Sequence, residues 1–470
     1  MSSKRTPKPT KSVNLTDFLD NDLGNYAFYK VLTQIPHLTD GLTITQRKIM
    51  YVLTTKIPDK KVKTAQMYSY LLNETNYVHG DMSVYNTTEN MAATYKNNIN
   101  LIEPFANFGT RTIQGASSPR YTELKLAKIS KEIFPKEDFA ILQDQEFEGQ
   151  LIEPYFLAPI IPLAIINGNN GIAMGYSSDI MARNPLEVIT IIKKILTGKL
   201  KKLPVNMKPW IPFFKGTIEN GENSKQWIFK GVINKKGKRG STGTIEILEV
   251  PFYSREKYLD KVINKLLDDG VIKSWNDNCK KNDFYFELKV PLEIYNKSED
   301  ELLNIFKLIS TNTETLTFIK RDESNIELLE YNNIAEYFKD WIAERLNLYN
   351  VRKNYIISRM IFEINKLENR IRFIDLIIKE KLEVRGRKKK EIEKDLENLK
   401  FDKIEDSFDY LLGMPIWNLT QEKIDEFVSK KEAIEKDLEE YRKTELTQLW
   451  LNDLVNLEKM IKKELQEKTK

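Results

Sequence analysis

The sequence has one cysteine, Cys279, among 470 residues. That excludes an intrachain disulfide and a metal site built on several thiolates, and it fits a reducing compartment. Histidine is almost as scarce: His37 and His79 are the only two, too few to build a zinc site by themselves. No apolar run reaches the ~18 residues that a membrane helix needs. The opening MSSKRTPKPTKSVN lacks the apolar core of a secretory signal. It reads as a basic, Pro/Ser-rich flexible tail over 1–25, with an arm that touches phosphates as the alternative. A cytoplasmic rather than secreted protein is expected. No repeat of solenoid period is found.

What is present is enough for real cores. The chain is 41% hydrophobic and 30% charged, and its length fits about three domains. The net charge of +5 is a weak pull towards a polyanion, so distribution matters more. Residues 21–130 carry 12 Lys/Arg against 8 Asp/Glu. The C-terminal third mixes both signs densely, as a solvated helical surface does.

The pattern along the chain predicts a multidomain α+β protein. Residues 26–55 read as a helix, a turn at His37–Gly41 and a second helix bearing Gln46, Arg47 and Lys48. That is the layout of a helix-turn-helix, with an ordinary helical hairpin as the alternative. The run YFLAPIIPLAIINGNNGIAMGY (155–176) predicts buried strands and tight turns. Residues 210–330 read as α+β, with strands at FKGTI, WIFKGVI, TGTIEILEV and DFYFELKV and a helix at KYLDKVINKLLDDG. From about 333 the chain turns helical. Ile357, Met360, Ile364, Leu367, Ile371, Ile374 and Ile378 alternate at spacings of three and four, as a coiled-coil seam does. A second seam runs through Ile424, Phe427, Ile434, Leu438 and Tyr441, with a compact knob between the two. Packing within one chain is the alternative to a dimer, and a dimer needs apolar surface exposed on the knob.

One dipeptide carries chemistry. Arg120 and Tyr121 stand together in GTRTIQGASSPRYTELKLAKIS. A phenol with a free pKa of about 10 is a poor nucleophile at neutral pH. A neighbouring guanidinium favours the phenolate and holds a phosphate. An enzyme that breaks a phosphodiester and keeps the phosphate on the protein needs both. With 21 tyrosines in the chain, the pair alone means little.

Its surroundings give it meaning. DGLTITQRKIMYVL (40–53), NYVHGDMSVYNTTENMA (76–92), NFGTR (107–111), SSPRYTELKLA (117–127), NGNNGIAMGYSSDI (167–180), MKPWIPFFKGTIEN (207–220) and DYLLGMPIWNLT (409–420) follow one another. In that order they resemble the DNA breakage-reunion part of the type II DNA topoisomerases, from about residue 20 to 460. The last two are similar to the eukaryotic and viral branch. The resemblance implies a winged-helix domain at 26–160, a tower domain at 161–332, and coiled-coil arms with a C-terminal dimer gate at 333–470.

By resemblance, Tyr121 is the nucleophile that becomes linked to a 5′ phosphate. Arg120 stabilises charge on the phosphoryl oxygens, and His79 accepts the phenol proton or donates to the phosphate. Arg47, Lys48 and Arg111 match phosphate contacts. Ile172 matches an isoleucine that wedges between bases; a plain strand residue is the alternative for it. Lys125 and Lys128 follow the tyrosine on what reads as a helix, where contact and mere solubility are both open. Thr43 and Ile44 replace the family's Lys-Pro, and Val78 stands where a second histidine or a proline is common, leaving His79 alone.

GHKL-type ATP-binding motifs and the acidic Toprim cluster are not found in the sequence. The layout resembles that of the medium subunit of T-even-type bacteriophage topoisomerases, with bacterial gyrase A more distant. The resemblance therefore implies a homodimer on double-stranded DNA, in the cytoplasm and nucleoid-associated (of the host, if the source is viral). Mg²⁺ would be held mainly by a partner Toprim domain, ATP hydrolysed by a partner chain, and relaxation and decatenation would be the outcome. A non-catalytic DNA-binding coiled-coil protein is the alternative from another class. A meiotic-type relative that makes double-strand breaks is a third reading, disfavoured because such relatives lack the tower and gate.

Overall fold

The computed structural model describes residues 14–251 and 253–468. The expected tail lies outside these up to residue 13. From Leu15 it is helical: helix Leu15–Asp17, a π-helical stretch Phe18–Leu23 and helix Gly24–Gln34 follow without a break. Asn14 caps the start, its side chain accepting from the Thr16 amide at 3.1 Å.

The chain divides into two compact units, residues up to 345 with those from 450 onward, and residues 346–449. The expected 26–160 and 161–332 both fall in the first. The end of the chain rejoins that unit because its last helix, from Trp450, has apolar residues to bury there: Trp450, Leu454, Leu457 and Ile461 are all inside. The Trp450 indole N–H donates to the Ile160 carbonyl at 3.0 Å.

Among the described residues of the first unit, three antiparallel sheets have three or more strands and three have two. Val62–Lys63, Glu123–Leu126 and Ile102–Phe105 form one, with Glu123–Leu126 central. Helices Ile44–Tyr51, Thr64–Thr75 and Asp81–Ala92 accompany it and bury Ile49, Met50, Met67, Leu71 and Val84. A four-stranded sheet runs Val232–Arg239, Thr242–Glu249, Phe286–Pro291, Ser274–Asp277. Along Thr242–Glu249 every second residue is buried, the period of a strand with one covered face. Ile245 and Ile247 there meet Tyr258, Val262 and Ile263 of the helical stretch that begins at Arg255. Ile309–Thr313, Gln226–Lys230 and Thr217–Asn220 form the third. The expected strands of 210–330 overlap these elements, but FKGTI does so only at Thr217 and Ile218, and WIFKGVI is divided at Gly231 between strands of two sheets.

The run 155–176 needs correction. It is buried throughout from Leu157 to Ile166, but Leu163–Asn167 is a short helix. Pro162, with φ −75°, opens it, since the pyrrolidine ring fixes φ near the helical value. The run's strand is confined to Asn169–Ile172.

In the second unit the two expected seams meet each other. Leu367, Ile371 and Ile374, from helix Ile334–Ile378, share one buried cluster with Ile424, Phe427, Val428 and Ile434 of helix Gln421–Lys443. This part of the seams packs within one chain, while Ile378, at the end of the first, is 42% exposed. The knob between them has its own core of Phe373, Leu382, Ile392, Leu396, Phe401, Phe408 and Leu411. Ile416 and Trp417 stand out from it, 83% and 78% exposed.

Candidate active site

Tyr121 closes a four-residue turn. Its amide donates to the Ser118 carbonyl at 2.8 Å, with Pro119 and Arg120 between them. Proline suits the first central position because its φ is already set. The turn is clamped to the start of helix Thr64–Thr75: the Ala65 amide donates to the Pro119 carbonyl at 3.1 Å and the Thr64 amide to the Thr122 carbonyl at 3.0 Å. Two amides that the helix leaves unpaired are satisfied in this way. A hydrogen bond of 2.8 Å between the buried Thr122 and Thr64 hydroxyls locks the joint. Thr122 therefore points inward while Tyr121, its neighbour, points out. Tyr121 is 70% exposed and Arg120 is exposed beside it. Within the chain, the bonds that fix this turn are made by backbone and by Thr122, which leaves the phenol and the guanidinium facing solvent.

His79 reaches the same end of that helix by a reversal of the chain. Asn76 ends helix Thr64–Thr75 in the left-handed region, φ 45°, a conformation asparagine tolerates. The segment then doubles back: the Tyr77 amide donates to the Leu71 carbonyl at 3.4 Å, and the Tyr77 ring meets Tyr68 edge-on at 6.4 Å. His79 follows, exposed, just before Gly80 caps helix Asp81–Ala92. One turn into that helix, Tyr85 donates its hydroxyl to the Ala65 carbonyl at 3.2 Å. The beginnings of the two helices are thereby tied together. Both offer the positive end of a helix dipole, which favours an anion such as phosphate.

A third element reaches His79. Helix Gly24–Gln34 places the Tyr29 hydroxyl in hydrogen-bond contact with His79 Nε2. The same helix, at its last residue, touches the hairpin Asn169–Ile172/Ser177–Ile180: a Cβ on Gly171 would sit 2.1 Å from the Gln34 carbonyl oxygen. Glycine is required there for close approach. From Tyr29 to Gln34 the helix rises about 7.5 Å. Ile172, next to Gly171, is on a strand and yet 76% exposed. An isoleucine of a half-buried strand normally covers a core; this one presents its side chain to solvent at the head of the hairpin.

Three expected phosphate contacts are corrected. Arg47 is 5% exposed and Asp40 fully buried; the Arg47 Nε donates to Asp40 at 2.6 Å and its second guanidinium nitrogen to the Leu42 carbonyl at 3.0 Å. Asp40 also accepts from the Leu42 and Leu157 amides, each at 2.9 Å. The DGL-QRK stretch is thus a buried knot, and Gly41, φ 66°, leaves no room for a side chain against Ala164. Lys48, 8% exposed, donates to Glu153 at 2.8 Å and to the Thr75 carbonyl at 2.7 Å. Burial pulls the Lys48 pKa down and pushes that of Glu153 up, and the attraction of each for the other opposes both shifts. Arg111 is held by both oxygens of the buried Glu249, at 2.5 and 2.8 Å, and by the Phe213 carbonyl at 3.1 Å. It fastens the NFGTR loop to the four-stranded sheet, helped by the Thr112 amide on the Lys281 carbonyl at 2.9 Å.

Lys125 lies on strand Glu123–Leu126, not on a helix, and is half-buried; Lys128 begins helix Lys128–Ile133 and is exposed. The alternating apolar Leu124 and Leu126 carry the strand signal that a helical reading of this stretch overlooks. Asp40, Glu153, Glu249 and Tyr29 are not singled out by the sequence. Only Asp40 has a signal there, its place in the same stretch as Arg47.

Among the described residues, no group of three or more His, Cys, Asp and Glu side chains could hold a metal ion. Among the same residues no helix is long and apolar enough to cross a membrane.

A protein-family model that describes the A-type subunits of DNA gyrase and topoisomerase IV matches residues 34–460. The chain is 32% identical over 496 residues to the DNA topoisomerase 2 of Plasmodium falciparum, covering 96% of this chain and 35% of that protein. It is 31% identical to DNA topoisomerase 2 of Arabidopsis thaliana, covering 98% and 34% respectively. To DNA topoisomerase 2 of Invertebrate iridescent virus 6 it is 27% identical, covering 97% and 40%. It thus spans roughly a third of the length of these curated relatives. The fold is similar to a crystal structure of the Plasmodium falciparum topoisomerase II DNA-binding, cleavage and re-ligation domain, with a TM-score of 0.83 at 31% identity, covering 96% of this chain and 65% of that one.

Proposed function

The chain belongs to the family of DNA gyrase and topoisomerase IV A-type subunits, and from that premise we propose that it supplies the DNA-cleaving tyrosine of a type II topoisomerase. The observation that carries the reading is the Tyr121 turn: a phenol and a guanidinium, adjacent and exposed, on a joint made rigid by its own backbone bonds.

In this reading the Tyr121 oxygen attacks a backbone phosphorus. A phosphotyrosyl bond forms at the 5′ side, and the bond from phosphorus to the 3′ oxygen breaks. The phenol proton is given up, and the departing 3′ oxygen gains one to become a hydroxyl. Because one phosphoester is exchanged for another, the reverse attack reseals the strand without an energy source. Arg120 stabilises charge growing on the phosphoryl oxygens. His79 lies at the other helix start of the site and touches the same phosphate. Ile172 enters a base step, unstacking it at a cost of a few kcal/mol and kinking the duplex towards Tyr121. The exposed Lys128 adds sequence-independent attraction for the backbone. Two copies, on opposite strands, make a double-strand break through which a second duplex passes. Ile416 and Trp417 are apolar surface that the second copy would cover.

The Toprim-type acidic cluster with its Mg²⁺ and the ATP-hydrolysing part are proposed to come from outside these 470 residues. The chain alone is then expected to bind DNA without relaxing it. The test is detergent trapping of covalent protein–DNA adduct after the chain is combined with those parts, Mg²⁺ and supercoiled DNA. Tyr121→Phe should abolish the adduct and leave DNA affinity intact. An adduct that persists in Tyr121→Phe, or relaxation by the chain alone, would overturn the proposal.

A further inference from the structure

We propose that Tyr29 is the positioning residue for His79: its hydroxyl donates to Nε2, so that neutral His79 carries its proton on Nδ1 and offers an N–H donor to a phosphoryl oxygen. This deepens the reading above and rests on it for the identity of the anion.

Three observations carry it. The Tyr29 hydroxyl meets Nε2, and no other hydrogen-bond partner of the His79 ring is found among the described residues. The imidazole contacts two aromatic rings, Tyr29 at 5.8 Å and tilted by 53°, and Tyr77 at 5.4 Å and nearly perpendicular at 79°. Tyr77 is itself buried and anchored to Leu71 and Tyr68. The ring is therefore held in place, and its nitrogens are not interchangeable.

The direction of the bond follows from chemistry. A phenol hydroxyl can donate or accept, and a neutral imidazole has one nitrogen of each kind. The phenol is by far the stronger acid of the two, so O–H donating to the bare nitrogen is the preferred pairing. Partial burial pushes the Tyr29 pKa up, with Lys30 opposing it, which keeps the hydroxyl hydrogen in place. Nε2 is thus occupied as an acceptor, and the proton of the neutral ring sits on Nδ1.

The consequence is a choice between two roles. A nitrogen that already bears a proton cannot take one from Tyr121. With Nε2 engaged by Tyr29 and Nδ1 protonated, neutral His79 is a hydrogen-bond donor to the phosphate and not the base for the phenol. Tyr29 itself touches no reacting atom; it acts through the imidazole.

The small histidine count makes the test direct. In the full chain labelled with ¹⁵N-histidine there are two imidazoles, and His79→Gln assigns their signals. Nitrogen shifts at pH 8 should show His79 in the Nδ1–H form, and Tyr29→Phe should abolish that single-tautomer signature. In the complete enzyme, Tyr29→Phe should slow adduct formation about five- to tenfold, the worth of one hydrogen bond, with DNA affinity held within about twofold. In the His79→Gln background the same substitution should have no further effect, since its influence passes through the ring. An Nε2–H form in the unsubstituted chain, a tautomer indifferent to Tyr29→Phe, or an equal slowing without His79 would each overturn the inference. If the unsubstituted enzyme forms no adduct at all, the cleavage reading fails, while the tautomer measured on the free chain still decides the role of Tyr29.

Discussion

Lys48→Met should damage folding, not DNA binding. Lys48 Nζ lies 2.8 Å from Glu153 and 2.7 Å from the Thr75 carbonyl, and both side chains are almost wholly enclosed. Methionine keeps the length of the stem but leaves the Glu153 carboxylate without its cation. Removing one partner of a buried pair costs about 3–5 kcal/mol, because the other charge is stranded. Replacing both, as Lys48→Met with Glu153→Met, removes that charge too. The remaining loss is one bond to the Thr75 carbonyl at a helix end, about 1 kcal/mol. The double variant should therefore be more stable than the single one by at least about 2 kcal/mol. Urea unfolding at pH 7 measures both. Were Lys48 a phosphate contact, its loss would lower the slope of log affinity against log salt by about 0.9. Stability within about 0.5 kcal/mol of the unsubstituted chain, with a slope reduced by that amount, would refute the buried-pair argument.

Arg111→Lys should loosen the NFGTR loop, because an ammonium cannot make the two-pronged bond to Glu249; a loss of about 1–3 kcal/mol is expected, read by proteolysis at residues 106–116 and by urea unfolding. Ile172→Ala should leave stability within about 0.5 kcal/mol, since the side chain is exposed, yet reduce DNA bending in a fluorescence-transfer assay and slow adduct formation. His37 gives a pH signature. Burial lowers its pKa from 6.5 to about 4, so the folded state keeps it neutral while the unfolded chain takes up a proton below 6.5. Stability should be unaffected by this group above pH 6.5 and fall by about 3 kcal/mol as pH drops to 4; the fall should be that much shallower in His37→Gln. In the proposed dimer, Trp417→Asp should raise the dissociation constant at least a hundredfold by sedimentation, as loss of an interface tryptophan worth about 3 kcal/mol implies, without changing the helix content.

The sequence reveals local devices better than distant partnerships. Pro119 before Arg120 marks the turn that lifts Tyr121, and it can be read from four residues. The seam positions Leu367 and Ile374 are legible because their period is set by the helix itself. By contrast, the fate of a cation depends on what the fold brings to it. Arg47 meets Asp40 seven residues away, but Lys48, on a helix, meets Glu153 of strand Gln150–Pro154, and Arg111, in a loop, meets Glu249 of the four-stranded sheet. Nothing in the spacing of Lys48 separates a buried ammonium from one that waits for phosphate. Tyr29 is hidden for the same reason: its helix is visible in outline, while the face it turns to His79 is set by a chain reversal at Asn76.

Helix Gly24–Gln34 holds the imidazole of His79 near its middle and rests its last carbonyl on the hairpin of Ile172. One helix therefore spans the group that would grip the sugar–phosphate chain and the group that would pry apart a base step. Tilting one end displaces the other, so a duplex too stiff to accept the isoleucine also draws its backbone out of register with the imidazole. In the proposed cleavage, a preference among DNA sequences would then follow from how readily each stretch buckles.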